Sequence, residues 1–199
     1  MESQTDLDII IRTRGEVLSS KEPTGENMFL AWGYPTVLYL LLEFAGLMIW
    51  HQDWASWLWI VIPIIGFPLM VYFLHKDYER TRRRSHEEIV VIKAWIFIGC
   101  FCALSGVAMG ITGVFQQCYF CLFGFSCGLG CFLTGIVGRF RVHTVCGIIA
   151  SALSVAPLFF QGELWPWQLP VTAGVVIVAL IVPGHLFRQY VRKNSVKKI

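Results

Sequence analysis

Two kinds of side chain in this sequence could carry chemistry: an acidic group inside an apolar run, and a set of closely spaced cysteines. The acidic residue is Glu43, which the segment LLLEFAGL surrounds with apolar side chains. A charge at the centre of a bilayer costs about 3 kcal/mol on insertion scales. We therefore expect Glu43 to face the interior of a helix bundle, either as a proton or cation site or as a neutral, hydrogen-bonded carboxyl group.

The cysteines lie in QQCYFCLFGFSCGLGC, residues 116–131. Cys118 and Cys121 have the C-x-x-C spacing of a redox pair and of half a zinc site. A metal site is disfavoured, because His51 is the only histidine predicted on the same side of the membrane. Cys127 and Cys131 stand four residues apart among glycines, where cysteine packs as a small apolar residue. The first pair is thus a candidate redox or disulfide pair, and the second pair is a helix-packing element.

The composition around these residues is that of a membrane protein. Hydrophobic residues make up 56% of the chain and charged residues only 15%, whereas a soluble domain has about 25% charged residues. Six apolar runs reach or approach the roughly 20 residues that a helix needs to cross a bilayer. They lie at 28–49, 57–74, 89–113, 118–138, 144–160 and 170–187. Because backbone polar groups in lipid must bond internally, the predicted fold is all-α, a polytopic bundle of six transmembrane helices.

The basic residues predict the orientation of this bundle. With six spans, both termini lie on one side of the membrane, and all 16 lysines and arginines fall on that side. Lysine and arginine concentrate in the cytoplasmic segments of membrane proteins. The N- and C-termini are therefore predicted to be cytoplasmic, and the protein is predicted to reside in the cell inner (cytoplasmic) membrane. Six of the eight tryptophans collect at the opposite interface, as in an aromatic belt.

The chain divides into a cytoplasmic N-terminal segment (1–27), a transmembrane domain (28–187) and a basic cytoplasmic tail (188–199). Residues 5–18 have the pattern of a short amphipathic helix, which could lie on the membrane, pack on a partner or cap its own bundle. Arg82, Arg83 and Arg84 form a basic run between the second and third predicted spans. This run is a candidate site for anionic lipid as well as a topology signal.

Small residues predict where the helices approach each other closely. Gly106 and Gly110 in the third predicted span have G-x-x-x-G spacing, and so do Gly124 and Gly128 in the fourth. This spacing places both glycines on one helix face, where the missing side chains let two backbones come together. We therefore expect the third and fourth predicted spans to pack tightly against each other.

Four short segments stand at the ends of predicted spans: FLAWGY, KAWIFIG, LTGIVGRFR and IVPGHLFR. Together they resemble a broad group of small six-helix bacterial integral-membrane proteins of uncharacterised function. The resemblance extends over most of the chain, and its motifs are turns and helix ends. It implies the six-helix architecture, and it implies no activity and no site residues.

The sequence contains no catalytic serine–histidine arrangement, no phosphate-binding loop and no soluble domain that would bind nucleic acid. It favours a non-enzyme without cofactor or metal, embedded in lipid and able to form a homo-oligomer. The leading interpretation is small-solute or ion handling with Glu43 as its polar centre. A membrane sensor or scaffold, acting through the cytoplasmic N-terminal helix and the basic stalk between the second and third predicted spans, is one alternative. A thiol-disulfide oxidoreductase that uses Cys118 and Cys121 is another.

Overall fold

The computed structural model describes residues 26–50, 68, 72, 75, 86–112 and 118–196 of the chain. These residues are helical apart from short turns, and they contain no strand, so the all-α prediction is confirmed for this part of the protein. The α-helices, numbered here in chain order, are α1 Glu26–Ala45, α2 His86–Thr112, α3 Tyr119–Val137, α4 Arg141–Leu153, α5 Gln168–Val176 and α6 Val182–Val196.

Shorter helical turns connect these elements. A π-helical turn, Gly46–Trp50, extends α1, and a second one, Ile177–Ile181, joins α5 to α6. Two 3-10 helices, Ala156–Phe159 and Gly162–Trp167, lie between α4 and α5. Pro157 explains why α4 ends at Leu153, because proline has no N–H to donate to the carbonyl oxygen four residues earlier, and its ring would clash with that oxygen.

Five helical segments in the described ranges are long and apolar enough to cross a membrane, as in a multi-pass membrane protein. They are Met28–Ile49, Ile89–Met109, Tyr119–Val137, Arg141–Phe159 and Gly162–Gln189. These segments match the first, third, fourth, fifth and sixth predicted spans. The second predicted span, 57–74, lies outside the described residues except for residues 68 and 72, which are helical.

Side-chain contacts give the directions of the first three helices. The ring of Phe29, at the start of α1, lies 5.4 Å from that of Trp95 in the first half of α2, so these two helices begin at the same end of the bundle. The Trp95 indole N–H donates a 3.0 Å hydrogen bond to Thr134 near the end of α3. At the other end, the Tyr119 ring at the start of α3 packs on Gly106 in the second half of α2. Helix α3 is therefore antiparallel to α2.

The last span, from α5 to α6, runs antiparallel to α1. Near the end of α1, the Phe44 ring lies 5.1 Å from the ring of Trp167, just before α5. Nearer the start of α1, the Tyr34 hydroxyl and His185 Nε2 in α6 are 2.6 Å apart. We call the end of the bundle that holds the starts of α1, α2 and α4 and the end of α6 the basic end, since Arg139, Arg141 and Arg188 lie there.

The last span is not one continuous α-helix, although its apolar run predicts one. Pro183 is fully buried at the second position of α6, and its ring would clash with the carbonyl oxygen four residues earlier, at Ala179. That carbonyl belongs to the π-helical turn Ile177–Ile181, whose wider coil accommodates the proline. Gly33 of α1 sits against this turn, where a Cβ would lie 2.9 Å from Ile181.

Helices α3 and α4 form the closest helix pair. A Cβ at Gly147 of α4 would lie 2.7 Å from the Cα of Phe132 in α3, and a Cβ at Gly135 of α3 would overlap the backbone nitrogen of Thr144 in α4. Contacts under 3.0 Å are essentially never seen for a real Cβ. Only glycine therefore permits the two backbones to touch at these two levels.

The turn between α3 and α4 is a Schellman motif with an unusual residue in it. The N–H of Phe140 donates to the Gly135 carbonyl at 2.8 Å, and the N–H of Arg139 donates to the Ile136 carbonyl at 3.3 Å. This motif places one residue in the left-handed region, normally a glycine. Here that residue is Arg139, with φ of 57°, while the adjacent Gly138 has φ of −79°.

The centre of the bundle is built mainly from α1, α3 and the last span. Its fully or nearly fully enclosed apolar side chains include Leu40, Cys131, Ala150, Leu169, Val176 and Ala179. Helix α2 lies at the periphery, since most of its long apolar side chains are exposed on the bundle surface. Several polar side chains also lie inside the bundle, between these helices. They form the candidate site.

Candidate functional site

Glu43 lies in the last quarter of α1, and only 5% of its surface is exposed. It follows Thr36 and Leu40 at helical spacing, and these two residues are 6% and 2% exposed. The opposite side of the helix exposes Leu38 and Leu42. Helix α1 thus turns Thr36 and Glu43 inward, towards the last span, and turns Leu38 and Leu42 outward, as expected of a helix surrounded by lipid.

Two tyrosines accompany the Glu43 carboxyl group. Tyr39 is one turn earlier on α1, and its side chain is hydrogen-bonded to Glu43. Tyr119 of α3 is close enough to Tyr39 to interact with it electrostatically. The Tyr119 ring fits beside α2 because Gly106 has no side chain there, and a Cβ at that position would lie 3.2 Å from the hydroxyl oxygen. Two phenol groups therefore stand between the carboxyl of α1 and the second helix.

Sulfur and hydroxyl groups continue this set of polar groups towards α2. The Cys102 thiol is hydrogen-bonded to the side chain of Ser126. The Ser126 hydroxyl itself donates to the Leu122 carbonyl oxygen at 2.8 Å, as a serine inside a membrane helix commonly does. Tyr119 interacts electrostatically with Cys102 and Cys127. We call Glu43, Tyr39, Tyr119 and Cys102 the interior polar cluster.

The interior polar cluster consists of groups that exchange protons, namely one carboxyl, two phenols and a thiol. An intramembrane carboxyl can hold a proton, or when ionised it can bind a cation. Within the described ranges, no three histidine, cysteine, aspartate or glutamate side chains converge as metal ligands. The Glu43 carboxyl and the tyrosine hydroxyls offer oxygen atoms, to which a proton or a small cation can bind.

The candidate redox pair lies at the end of α3 that is opposite the basic end. Cys118 occupies the N-cap position of α3 and makes no side-chain capping bond, and Cys121 follows one turn later. Both side chains are half-buried, and they are close enough to interact electrostatically. All seven cysteines of the chain are free thiols in this structure. The pair is thus adjacent but not bonded.

The sequence assigns several residues to helix packing. In the structure, these residues have neighbours on three helices. A Cβ at Gly124 would lie 3.2 Å from Ser154 and from Val175, and one at Gly128 would lie 2.5 Å from the hydroxyl oxygen of Ser151. Ser151 belongs to α4, so the second glycine motif faces α4 and not α2. Gly130, which belongs to neither motif, is the residue that admits an α2 side chain, the Trp95 ring, at 2.8 Å.

The remaining packing residues are Gly106, whose contact with Tyr119 is given above, Gly110 within α2, and two cysteines of α3. Cys127 is 6% exposed and Cys131 is fully buried. The Cys131 thiol donates a 3.3 Å hydrogen bond to the backbone carbonyl oxygen of His143 in α4. These thiols fill small spaces in the core, and Cys131 also links α3 to α4.

His143 is a buried polar residue whose position the sequence did not reveal. The hydropathy pattern places it at the interface with three other histidines, but only 2% of its surface is exposed. The rings of Phe29 and Phe187 meet it edge-on at 5.2 and 5.4 Å, and that of Phe140 lies at 5.8 Å. No hydrogen-bond partner reaches its Nδ1 atom among the described residues. Phe29 and Phe187 come from helices distant in sequence, so no local pattern signals this enclosure.

Two further sequence-based predictions lie outside the described residues. The amphipathic segment 5–18 is one of them, and the basic run of Arg82, Arg83 and Arg84 is the other.

Comparison of the chain with protein-family models, with curated proteins and with solved structures gives no match. The site is accordingly interpreted from its own geometry: a carboxyl group enclosed by the helices of a multi-pass membrane protein.

Proposed function

We propose that this protein handles a small solute or ion within its helix bundle, and that Glu43 is the group that binds a proton or a small cation. The observation that carries the proposal is the burial of the Glu43 side chain, 5% exposed, beside Tyr39. A carboxyl group kept in a membrane interior is costly, and such groups mark ion and proton sites in membrane proteins. Buried Thr36, Gln168 and Thr172 add polar atoms to the same helix interfaces.

Glu43→Gln is expected to abolish this function without unfolding the protein, because glutamine keeps the size and hydrogen-bonding capacity of the side chain but cannot ionise. Protein-dependent proton flux should fall at least tenfold in liposomes that contain an entrapped pH dye and carry a potassium diffusion potential. A sodium indicator, entrapped in a parallel preparation, tests the same loss for sodium. The unfolding temperature in detergent should stay close to that of the unmodified protein.

The matched control for this experiment is Glu163→Gln, which removes a carboxyl group from an exposed 3-10 turn. This turn lies at the end of the bundle opposite the basic end. The control variant should leave both fluxes unchanged. If the Glu43→Gln protein retains its proton and sodium flux, the carboxyl group has no part in transport and the proposal fails.

We further propose that the bundle has six spans with both termini in the cytoplasm, in the inner membrane. Helices α1 and α2 begin at the same end of the bundle, as the Phe29–Trp95 contact shows. The chain leaves α1 at the opposite end and so has to return across the membrane within residues 51–85. This stretch is long enough for a helix of about 20 residues, which is what one crossing needs. Segregation of lysine and arginine supports the cytoplasmic assignment of the basic end.

Single cysteines introduced into a variant that lacks the seven native ones should report this topology. A cysteine introduced by Glu163→Cys is expected to react with a membrane-impermeant maleimide in intact cells. A cysteine introduced by Arg188→Cys should react only after the membrane is permeabilised, since it lies at the basic end. Equal labelling of both positions in intact cells, or the reverse pattern, would contradict the proposed orientation.

A further inference from the structure

Three exposed arginines lie at the basic end, in two separate parts of the chain. Arg139 and Arg141 flank Phe140 in the turn between α3 and α4, and Arg188 follows Phe187 in α6. The rings of Phe140 and Phe187 touch edge to face, with centroids 4.4 Å apart. This contact brings the turn and the last helix side by side. We call Arg139, Arg141 and Arg188 the arginine face.

A rigid base holds the arginine face in place. Phe187 is 8% exposed and His143 is 2% exposed, and both contact Phe140. The two phenylalanines and the histidine therefore fix the backbone that carries the arginines. Guanidinium groups held on a fixed backbone lose less freedom when they bind an anion than those on a mobile tail, so the site is prepared for its ligand.

The backbone at Arg139 has a conformation in which arginine is unexpected. Its left-handed conformation, φ of 57°, is one that glycine adopts without strain and that a side chain with a Cβ adopts only at a cost. A positive charge at the end of α3 would favour the helix dipole and mark the cytoplasmic side from other positions in the turn as well. Neither of these general roles calls for arginine at the strained position.

We propose that the arginine face binds the phosphate headgroup of an anionic phospholipid in the adjacent leaflet. Arginine forms paired hydrogen bonds with phosphate oxygens, and basic sites between transmembrane helices suit anionic headgroups. The exposed apolar side chains of Val142, Val145 and Ile149 continue along α4 from the turn towards the membrane centre, where the acyl chains would lie. The surface thus offers charge to the headgroup and an apolar track to the lipid tails.

A competing explanation is that the arginines serve the fold through acidic partners in the protein and not through lipid. The two explanations differ in what happens to stability when charge is removed.

Binding is measured by native mass spectrometry of the full-length protein released from detergent micelles that contain phosphatidylglycerol or phosphatidylcholine. The combined variant Arg139→Gln, Arg141→Gln, Arg188→Gln should bind phosphatidylglycerol at least tenfold more weakly, with phosphatidylcholine binding unchanged. Lys93→Gln, which removes one exposed positive charge from α2 at the same end, should change phosphatidylglycerol affinity less than twofold. Inorganic phosphate at millimolar concentration should not displace the lipid.

Variants at Arg139 alone separate the ligand from the fold. Arg139→Gln and Arg139→Gly should both weaken phosphatidylglycerol binding severalfold, whereas Arg139→Lys should retain most of it. Only Arg139→Gly should raise the unfolding temperature in lipid-free detergent, by about 2 °C or more, because it relieves the left-handed backbone. Unchanged lipid binding in the combined variant would overturn the proposal, and so would a fall in unfolding temperature that parallels the loss of binding at Arg139→Gly.

Discussion

Gly147→Ala is expected to destabilise the protein by about 3 kcal/mol, the upper end of the usual range for overpacked sites. The added methyl group would lie 2.7 Å from the Cα of Phe132, and backbone atoms cannot move aside as the end of a flexible side chain can. Gly135→Ala should behave similarly, since its Cβ would overlap the backbone of Thr144. Helices α3 and α4 would have to separate over several turns. Unfolding by titration with SDS in mixed micelles measures the change.

Gly99→Ala and Gly174→Ala are the matched controls for this prediction. Both glycines lie inside helices, and a Cβ at either position meets nothing within 4 Å. Alanine is the better helix former by up to about 1 kcal/mol, so these variants should be neutral or slightly more stable. Should Gly147→Ala unfold at the same SDS fraction as Gly99→Ala, the close contact between α3 and α4 does not support the fold.

Leu169→Ala should destabilise the protein by about 2–3 kcal/mol. Leu169 is fully buried at the start of α5, in the same cluster as Leu40 and Val176. Lipid tails are as apolar as leucine, so little of this loss comes from transfer out of water. It comes instead from the cavity and from the dispersion contacts that its lining atoms lose. The SDS titration should show an earlier transition.

Leu104→Ala is the control for the cavity, since Leu104 is 71% exposed on the surface of α2. The same truncation there leaves no enclosed space, and the unfolding free energy should change by less than about 0.5 kcal/mol. Equal effects at positions 169 and 104 would contradict a close-packed interior around α5.

The sequence located the membrane helices well because hydropathy is a local property. The fourth predicted span, 118–138, differs from helix Tyr119–Val137 by one residue at each end. The third, 89–113, differs from helix His86–Thr112 by a few residues. A run of apolar side chains bounded by charge is sufficient to define a span, whatever its neighbours are. The same principle identified Glu43 as a residue that had to be enclosed.

The sequence could not tell which helix a glycine motif faces. The motif of Gly124 and Gly128 predicted close packing with the preceding helix, but Gly128 meets Ser151 on the following one. Gly106 admits the aromatic ring of Tyr119 and not a helix backbone. Spacing specifies a shared face, and each helix in a bundle has several neighbours that could cover it. The tyrosines of the interior polar cluster, brought together from α1 and α3, were missed for the same reason.

Helix α1 and the last span are far apart in the chain, and this separation has a consequence while the protein is being synthesised. Helices α3 and α4 are joined by a short turn and can pair as soon as both have entered the membrane. Helix α1 is made first, yet it contacts the last span, as in the Tyr34–His185 pair, whose members are 151 residues apart in the chain. Until that span emerges from the ribosome, the Glu43 carboxyl lacks the helix that completes its enclosure. The nascent chain thus carries an incompletely enclosed polar group in the membrane until the last span is inserted.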